Sequence, residues 1–176
     1  MKIFIHLPQE RNERSWNSFY SRSNNDLNLD ICKLCIKSVI RKCDHNNFKI
    51  VIFNNSDIKN ILNEENEEDL CNVANPERLS GVDLKQWMQY CRTKILYKHG
   101  GIMMCPQFYF MKNITEHLFS NEFTILHVNN EGLNVSNKDY IPSMCYFMSA
   151  PKKDSNVKLY LKYLENLCIH QYSIDH

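Results

Sequence analysis

Arg92-Thr93-Lys94-Ile95-Leu96-Tyr97-Lys98-His99-Gly100-Gly101-Ile102-Met103-Met104-Cys105-Pro106-Gln107 is the stretch on which the reading of this chain turns. Upstream of it, Leu84, Trp87, Met88, Cys91 and Ile95 recur at the spacing of one helical face. Ser80 and Asp83 form a Ser-x-x-Asp capping signal at the start of that helix. Gly100 is suited to the left-handed residue that closes it. Ile102-Met103-Met104 carries no charge and predicts a short, buried strand. Pro106 then stiffens the turn between Cys105 and Gln107.

Outward from this segment the chain alternates strand and helix. Met1-Lys2-Ile3-Phe4-Ile5-His6-Leu7-Pro8 is apolar and stopped by Pro8 and a polar tract, which fits a first buried strand better than a signal peptide. Gln9 to Asn25 is polar, with Trp16, Phe19 and Tyr20 as aromatic anchors of a loop or short helix. Ile31, Cys32, Cys35, Ile36, Val39, Ile40 and Cys43 fall on one face of a following helix, opposite Lys33, Lys37 and Arg41. Phe48 to Phe53 is a β-rich run ended by Asn54-Asn55-Ser56, so these three elements predict a right-handed βαβ unit. The acidic run Glu64-Glu65-Asn66-Glu67-Glu68-Asp69 predicts an exposed connection. Glu122 to Val128 and Met144 to Ser149 predict two more strands. A last helix, starting near Asp154, buries Val157, Tyr160, Leu161, Leu164 and Cys168. The expected fold class is therefore α/β, a mostly parallel central sheet flanked by helices, in a single domain over residues 1–176.

Composition limits the functions available. With 176 residues and 43% hydrophobic content the chain is long enough for one core-bearing domain. A net charge of +1 gives no electrostatic footprint for nucleic acid, and no apolar run reaches the roughly 20 residues of a bilayer-spanning helix. Eight cysteines lie mostly within apolar helix and strand patterns, as buried thiols of an intracellular, reducing compartment would. Cys32-x2-Cys35 with Cys43 and His45 imitates a zinc spacing. On one continuous helix residues 35 and 43 stand about 12 Å apart along the axis, too far to share one ion. The pair is therefore expected to be structural, buried and metal-free. The sequons at Asn54, Asn113 and Asn134 carry little weight in so Asn-rich a chain.

The segment from Arg92 to Gln107 resembles the part of GT-A-type glycosyltransferases, of the capsular polysaccharide and mannosyl type, that precedes their Asp-X-Asp sugar-binding motif. The resemblance implies a Rossmann-like GT-A sandwich in which strand ends hold a nucleotide sugar and two aspartates hold Mn2+ or Mg2+. In this chain the aspartate positions are Cys105 and Gln107, and a carboxylate usual three residues before the arginine is replaced by Gln89. Hard cations require carboxylate oxygens, so the implied metal site is degenerate and no metal cofactor is expected. Arg92 matches the family arginine near donor sugar and phosphates, while a solvent-facing or capping arginine is the bland alternative. His6, in an Ile-His pair ending the first strand, matches the residue near the nucleotide base, or is a satisfied structural histidine. Asn54 could bond ribose hydroxyls or form a plain turn. Gly100 and Gly101 complete the implied donor-binding set. Phe147-Met148-Ser149-Ala150-Pro151 resembles a later strand that presents a small-residue loop to the site.

The Asn-, Lys- and Ile-rich flavour is similar to transferase-related proteins of large DNA viruses. What the resemblance implies is a glycosyltransferase-like domain without a working metal site, lacking the family's C-terminal acceptor region. Such a domain would be non-catalytic, used in binding or as a virion component, with a nucleotide sugar or other virion proteins as partners and neither nucleic acid nor membrane insertion. The alternative is an active, metal-independent glycosyltransferase, for which Arg92 with Lys94, Lys98 or Lys112 would have to offset the diphosphate charge.

Overall fold

The computed structural model describes residues 1–7, 21–63, 81–115, 122–126 and 147–172. The order of elements is β1 (Lys2–Leu7), α1 (Ser21–Lys42), β2 (Lys49–Asn54), α2 (Ile58–Asn63), α3 (Gly81–His99), β3 (Gly101–Met104), β4 (Thr124–Leu126), β5 (Phe147–Ala150) and α4 (Ser155–Tyr172). The strands form one five-stranded sheet in the order β2-β1-β3-β5-β4. β1 pairs in parallel with β2 and β3, whereas β5 runs antiparallel to both β3 and β4. The sheet is thus mixed, with four strands in one direction and β5 reversed. The architecture is α/β, as the alternation of patterns predicts.

Both faces of the sheet are covered, which is why its inner strands read as unbroken apolar runs. Phe4, Met103, Met148 and Ala150 pack on one face against Trp87, Cys91, Ile95 and Leu96 of α3 and Val157, Tyr160 and Leu164 of α4. Ile3, Ile5, Ile102, Met104 and Phe147 pack on the other against Val39, Cys43, Phe48 and Ile114. β3 is buried along its whole length at the centre of the sheet.

The double glycine locks α3, β1 and β3 together. Gly100 has φ +66° and Gly101 φ +101°, conformations open mainly to glycine. The Gly100 amide closes α3 onto Leu96 O at 2.7 Å, and the Lys153 amide donates to Tyr97 O at 2.8 Å. A Cβ on Gly101 would stand 2.3 Å from the Lys2 carbonyl oxygen, so β3 approaches β1 closely only because that atom is missing. At the start of α4 the Asp154 carboxylate accepts the amides of Asn156 and Val157 at 2.8 and 3.0 Å, the cap expected there.

Three sequence expectations are corrected. The buried stripe of α1 is Cys35, Ser38, Val39 and Cys43, while Ile31 and Ile40 are exposed and Cys32 is only half-buried. The cause is a distant segment: Phe110 N donates to Ser38 Oγ at 3.0 Å and Ile114 N to Lys42 O at 2.7 Å, so residues 108–114 select which side of the helix is covered. β4 occupies Thr124–Leu126, beginning two residues later than expected, and β5 occupies Phe147–Ala150, ending one residue later; residues 127, 128 and 144–146 of the expected strands lie outside the described residues. The helix α2 had no counterpart in the sequence reading. Ser80, the acidic run from Glu64, and the aromatic residues Trp16, Phe19 and Tyr20 lie outside the described residues. No helix among the described residues is long and apolar enough to cross a membrane.

Gly101→Ala is expected to destabilise the fold by about 3 kcal/mol or more, because a strained φ and a backbone clash act together. Urea unfolding checks this, with exposed Leu159→Ala as a control expected within about 0.5 kcal/mol of wild type.

Candidate functional site

Crossing from β1 to β2 on one side and to β3 on the other creates a switch point, and crevices in open α/β sheets lie beyond the carboxyl ends of the strands at such points. Three parallel strands end there together. β1 contributes His6, β2 is followed by Asn55, and β3 is followed by Cys105. Because Ile5 pairs with Met104, His6 and Cys105 are the next residues of their two strands. Arg92 enters from α3, which packs over this face of the sheet.

These residues form a chain of short hydrogen bonds. Arg92 Nε donates to His6 Nδ1 at 2.7 Å, and His6 Nε2 lies 2.7 Å from Asn55 Oδ1. A guanidinium only donates, so Nδ1 must carry the lone pair and Nε2 the proton, which Asn55 Oδ1 accepts. The imidazole stacks on Phe53 with centroids 4.8 Å apart and planes 11° apart, and it is fully buried. Burial first and the Arg92 charge second push the His6 pKa down to about 3, against the opposing bond to Asn55. His6 is therefore a neutral, fixed-tautomer acceptor for Arg92.

Arg92 is itself 8% exposed. Among the described residues the ion pair present is Lys33–Asp30, far along the chain, so no described carboxylate neutralises this guanidinium. Cys105 is buried, which pushes its thiol pKa up although the nearby Arg92 charge pulls it down. Cysteine, histidine and asparagine together invite comparison with a nucleophilic triad. That chemistry needs a thiolate beside a basic imidazole, whereas here the thiol holds its proton, the imidazole resists one, and Arg92 fills Nδ1.

The other expected residues have different placements. Gln89 is fully buried and its Nε2 donates to Met148 Sδ at 3.2 Å, inside the core. Asn54 Oδ1 accepts the Ser56 amide at 2.8 Å and the Ser56 hydroxyl at 2.5 Å, forming the turn that the sequence allows. Gly100 and Gly101 lie at the amino end of β3, opposite the cluster. Gln107 is exposed. The candidate cations do not gather round Arg92. Lys98 is buried with its ammonium donating to Leu62 O, Lys94 lies 5.8 Å over the Tyr90 ring, and Lys112 is exposed. Asn55 and Phe53 were not singled out as partners of His6. Their signal was position alone, since residues ending parallel strands at one edge converge whatever their sequence distance.

A hard divalent cation does not fit Cys105 and Gln107, one a buried neutral thiol and the other an exposed amide. No group of three His, Cys, Asp or Glu side chains among the described residues could hold a metal ion. Cys32 and Cys35 lie within the continuous helix α1, and His45 Nε2 is engaged by Ile40 O at 3.0 Å. Comparison of the chain with protein-family models, curated proteins and solved structures yields no match.

The depressed pKa of His6 has a measurable consequence. Below pH 6.5 the unfolded chain binds a proton that the folded state refuses, so this residue's contribution falls as pH drops toward 3. Between about pH 6 and pH 4 the loss is about 2.5 kcal/mol. Urea unfolding across that window is expected to show this increment in the wild type and its absence in His6→Gln. Nitrogen NMR at about pH 5, well above the depressed value, is expected to show a neutral ring protonated at Nε2.

Proposed function

We propose that this chain is a GT-A-type, glycosyltransferase-like domain that binds a nucleotide sugar without a metal and does not turn it over. The observation that carries the reading is the Arg92 guanidinium, buried at the switch point of the sheet with a neutral histidine as its partner and no described carboxylate beside it. A buried charge without a counter-charge is costly, and an anionic ligand relieves that cost. A diphosphate matches both the charge and the place, because ligands of open α/β sheets bind beyond the strand ends. Further support comes from the long α3, the double glycine and the central β3, which stand in the order that the resemblance implies.

Catalysis asks more of the site than binding does. Departure of a diphosphate needs charge stabilisation that grows in the transition state. The lysines that could supply it in place of a metal are engaged with α2, stacked on Tyr90 or exposed on the surface. This favours binding over the active, metal-independent transferase. A role within a virus particle is the accompanying proposal, supported by composition.

Thermal unfolding with UDP- and GDP-sugars tests the reading. At a ligand concentration about a hundredfold above Kd the expected stabilisation is about 2.7 kcal/mol, or roughly 5–10 °C. Mn2+ is expected to add nothing, and Arg92→Ala to remove the shift. Absence of any shift with intact folding would sink the binding proposal. Metal-independent turnover lost in Arg92→Ala would replace it with the active enzyme.

A further inference from the structure

At the end of the sheet opposite His6 lies a depression of about 380 Å3, lined among others by Lys2, His45, Asn46, Asn47, Lys49 and His99. It joins the amino ends of β1 and β2, the turn after α1, and the last residue of α3. Lys2 and Lys49 are register partners on adjacent parallel strands. Their side chains therefore leave the same face of the sheet from backbones about 4.8 Å apart. Neither lysine is ion-paired among the described residues.

Lys2 Nζ is folded back 5.9 Å over the Phe4 ring. His99 also packs on that ring, at 5.7 Å between centroids, and its Nε2–H is directed to Ile61 O at 3.2 Å. His45 is fixed in the same manner by Ile40 O. The acid in the adjacent turn, Asp44, accepts from Asn46 N at 3.0 Å and Asn47 Nδ2 at 2.9 Å, and it does not line the depression. The concavity thus brings together two lysine side chains, two imidazoles whose Nε2–H groups are already donated to carbonyls, and two amide side chains, with no carboxylate among the described residues that line it.

We infer that this depression is a second anion site, separate from the Arg92 cluster, and that it takes a small phosphate-bearing ligand of about pyrophosphate size. A multiply charged oxyanion bridges the two ammonium groups, the role lysine fills as a point-charge phosphate binder. The depression is open to solvent, which suits a compact, strongly charged anion held by its charge better than an apolar ligand that would need enclosure. The inference does not rest on the transferase-like reading, because no residue is shared between the two sites.

Pyrophosphate titrated into the full chain at low ionic strength, followed by NMR of the histidine side chains, is the test. Saturable shifts are expected at His45 and His99, weakening on added salt as exposed charges are screened. Affinity is expected to fall about tenfold or more in Lys2→Gln/Lys49→Gln, a difference equivalent to the loss of one strong charged contact. Lys2→Glu serves as a second variant, since it places opposite charges in register and is expected to raise the melting temperature while abolishing binding. No response at His45 and His99, or equal affinity in the double variant, overturns the proposal. A response confined to His6 does so too, and would assign pyrophosphate to the other end. Inorganic sulfate and citrate distinguish phosphate recognition from general attraction: binding as tight as that of pyrophosphate would overturn the assignment of a phosphate site.

Discussion

The contact between the Gly101 backbone and the Lys2 carbonyl is the constraint from which the rest of the structure follows. Only a residue without Cβ lets β3 lie so close to β1 at this point, and that approach fixes the pairing of Ile3 with Ile102 and Ile5 with Met104. Since side chains alternate across a strand, this register also decides which residues share a face. Phe4 and Met103 meet α3, whereas Ile5 and Met104 meet the α1 side. A slip by one residue would turn His6 away from Arg92. The geometry of the carboxyl end is thus set at the amino end of the same strands, some four residues away.

Electrostatics explains how the cluster holds Arg92 without a carboxylate among the described residues. An aspartate in place of Cys105 would stand near Arg92 and give its guanidinium a permanent counter-charge, or a ligand for a metal. A protonated thiol does neither. The guanidinium is held instead by an imidazole that burial keeps neutral, so its position is fixed while no carboxylate among the described residues compensates its charge. The same burial leaves His6 unable to take up a proton near neutral pH and so unable to activate Cys105, whose own thiol burial keeps protonated.

Much of the fold was legible because local signals agreed with one another. The helix over Leu84–Ile95, the glycine stop and the uncharged Ile102–Met104 all point to one arrangement, and it is observed. The buried face of α1 is narrower than its periodicity suggests, because the apolar spacing that takes in Ile31 and Ile40 says which residues are apolar, not which side another segment covers. Ser38 is the instructive case: a polar residue within the buried stripe, kept there by the Phe110 amide that arrives from 72 positions away. At the site, Arg92 and His6 could be nominated separately, but their mutual bond spans 86 residues and depends on the packing of α3 over β1. Asn54 was preferred to Asn55 although the two are neighbours of identical chemistry. Strand alternation and the following turn decide between them, and neither leaves a trace in residue type.

The small helix α2 links the two ends of the molecule. Six residues are too few to hold a helix unaided, and its final carbonyls lack intrahelical partners. Lys98 and His99, the last two residues of α3, donate to Leu62 O and Ile61 O and supply what is missing. Their donors also suit the negative end of the helix dipole. At its other end, α2 grows from the turn in which Asp57 Oδ2 accepts the Asn54 amide at 2.9 Å. That turn carries Asn55 to His6. α3 therefore holds the cluster twice, directly through Arg92 and indirectly by clamping the helix whose first turn positions Asn55. Burial of Lys98, costly for an ammonium group, follows from this clamp and needs no role in ligand binding.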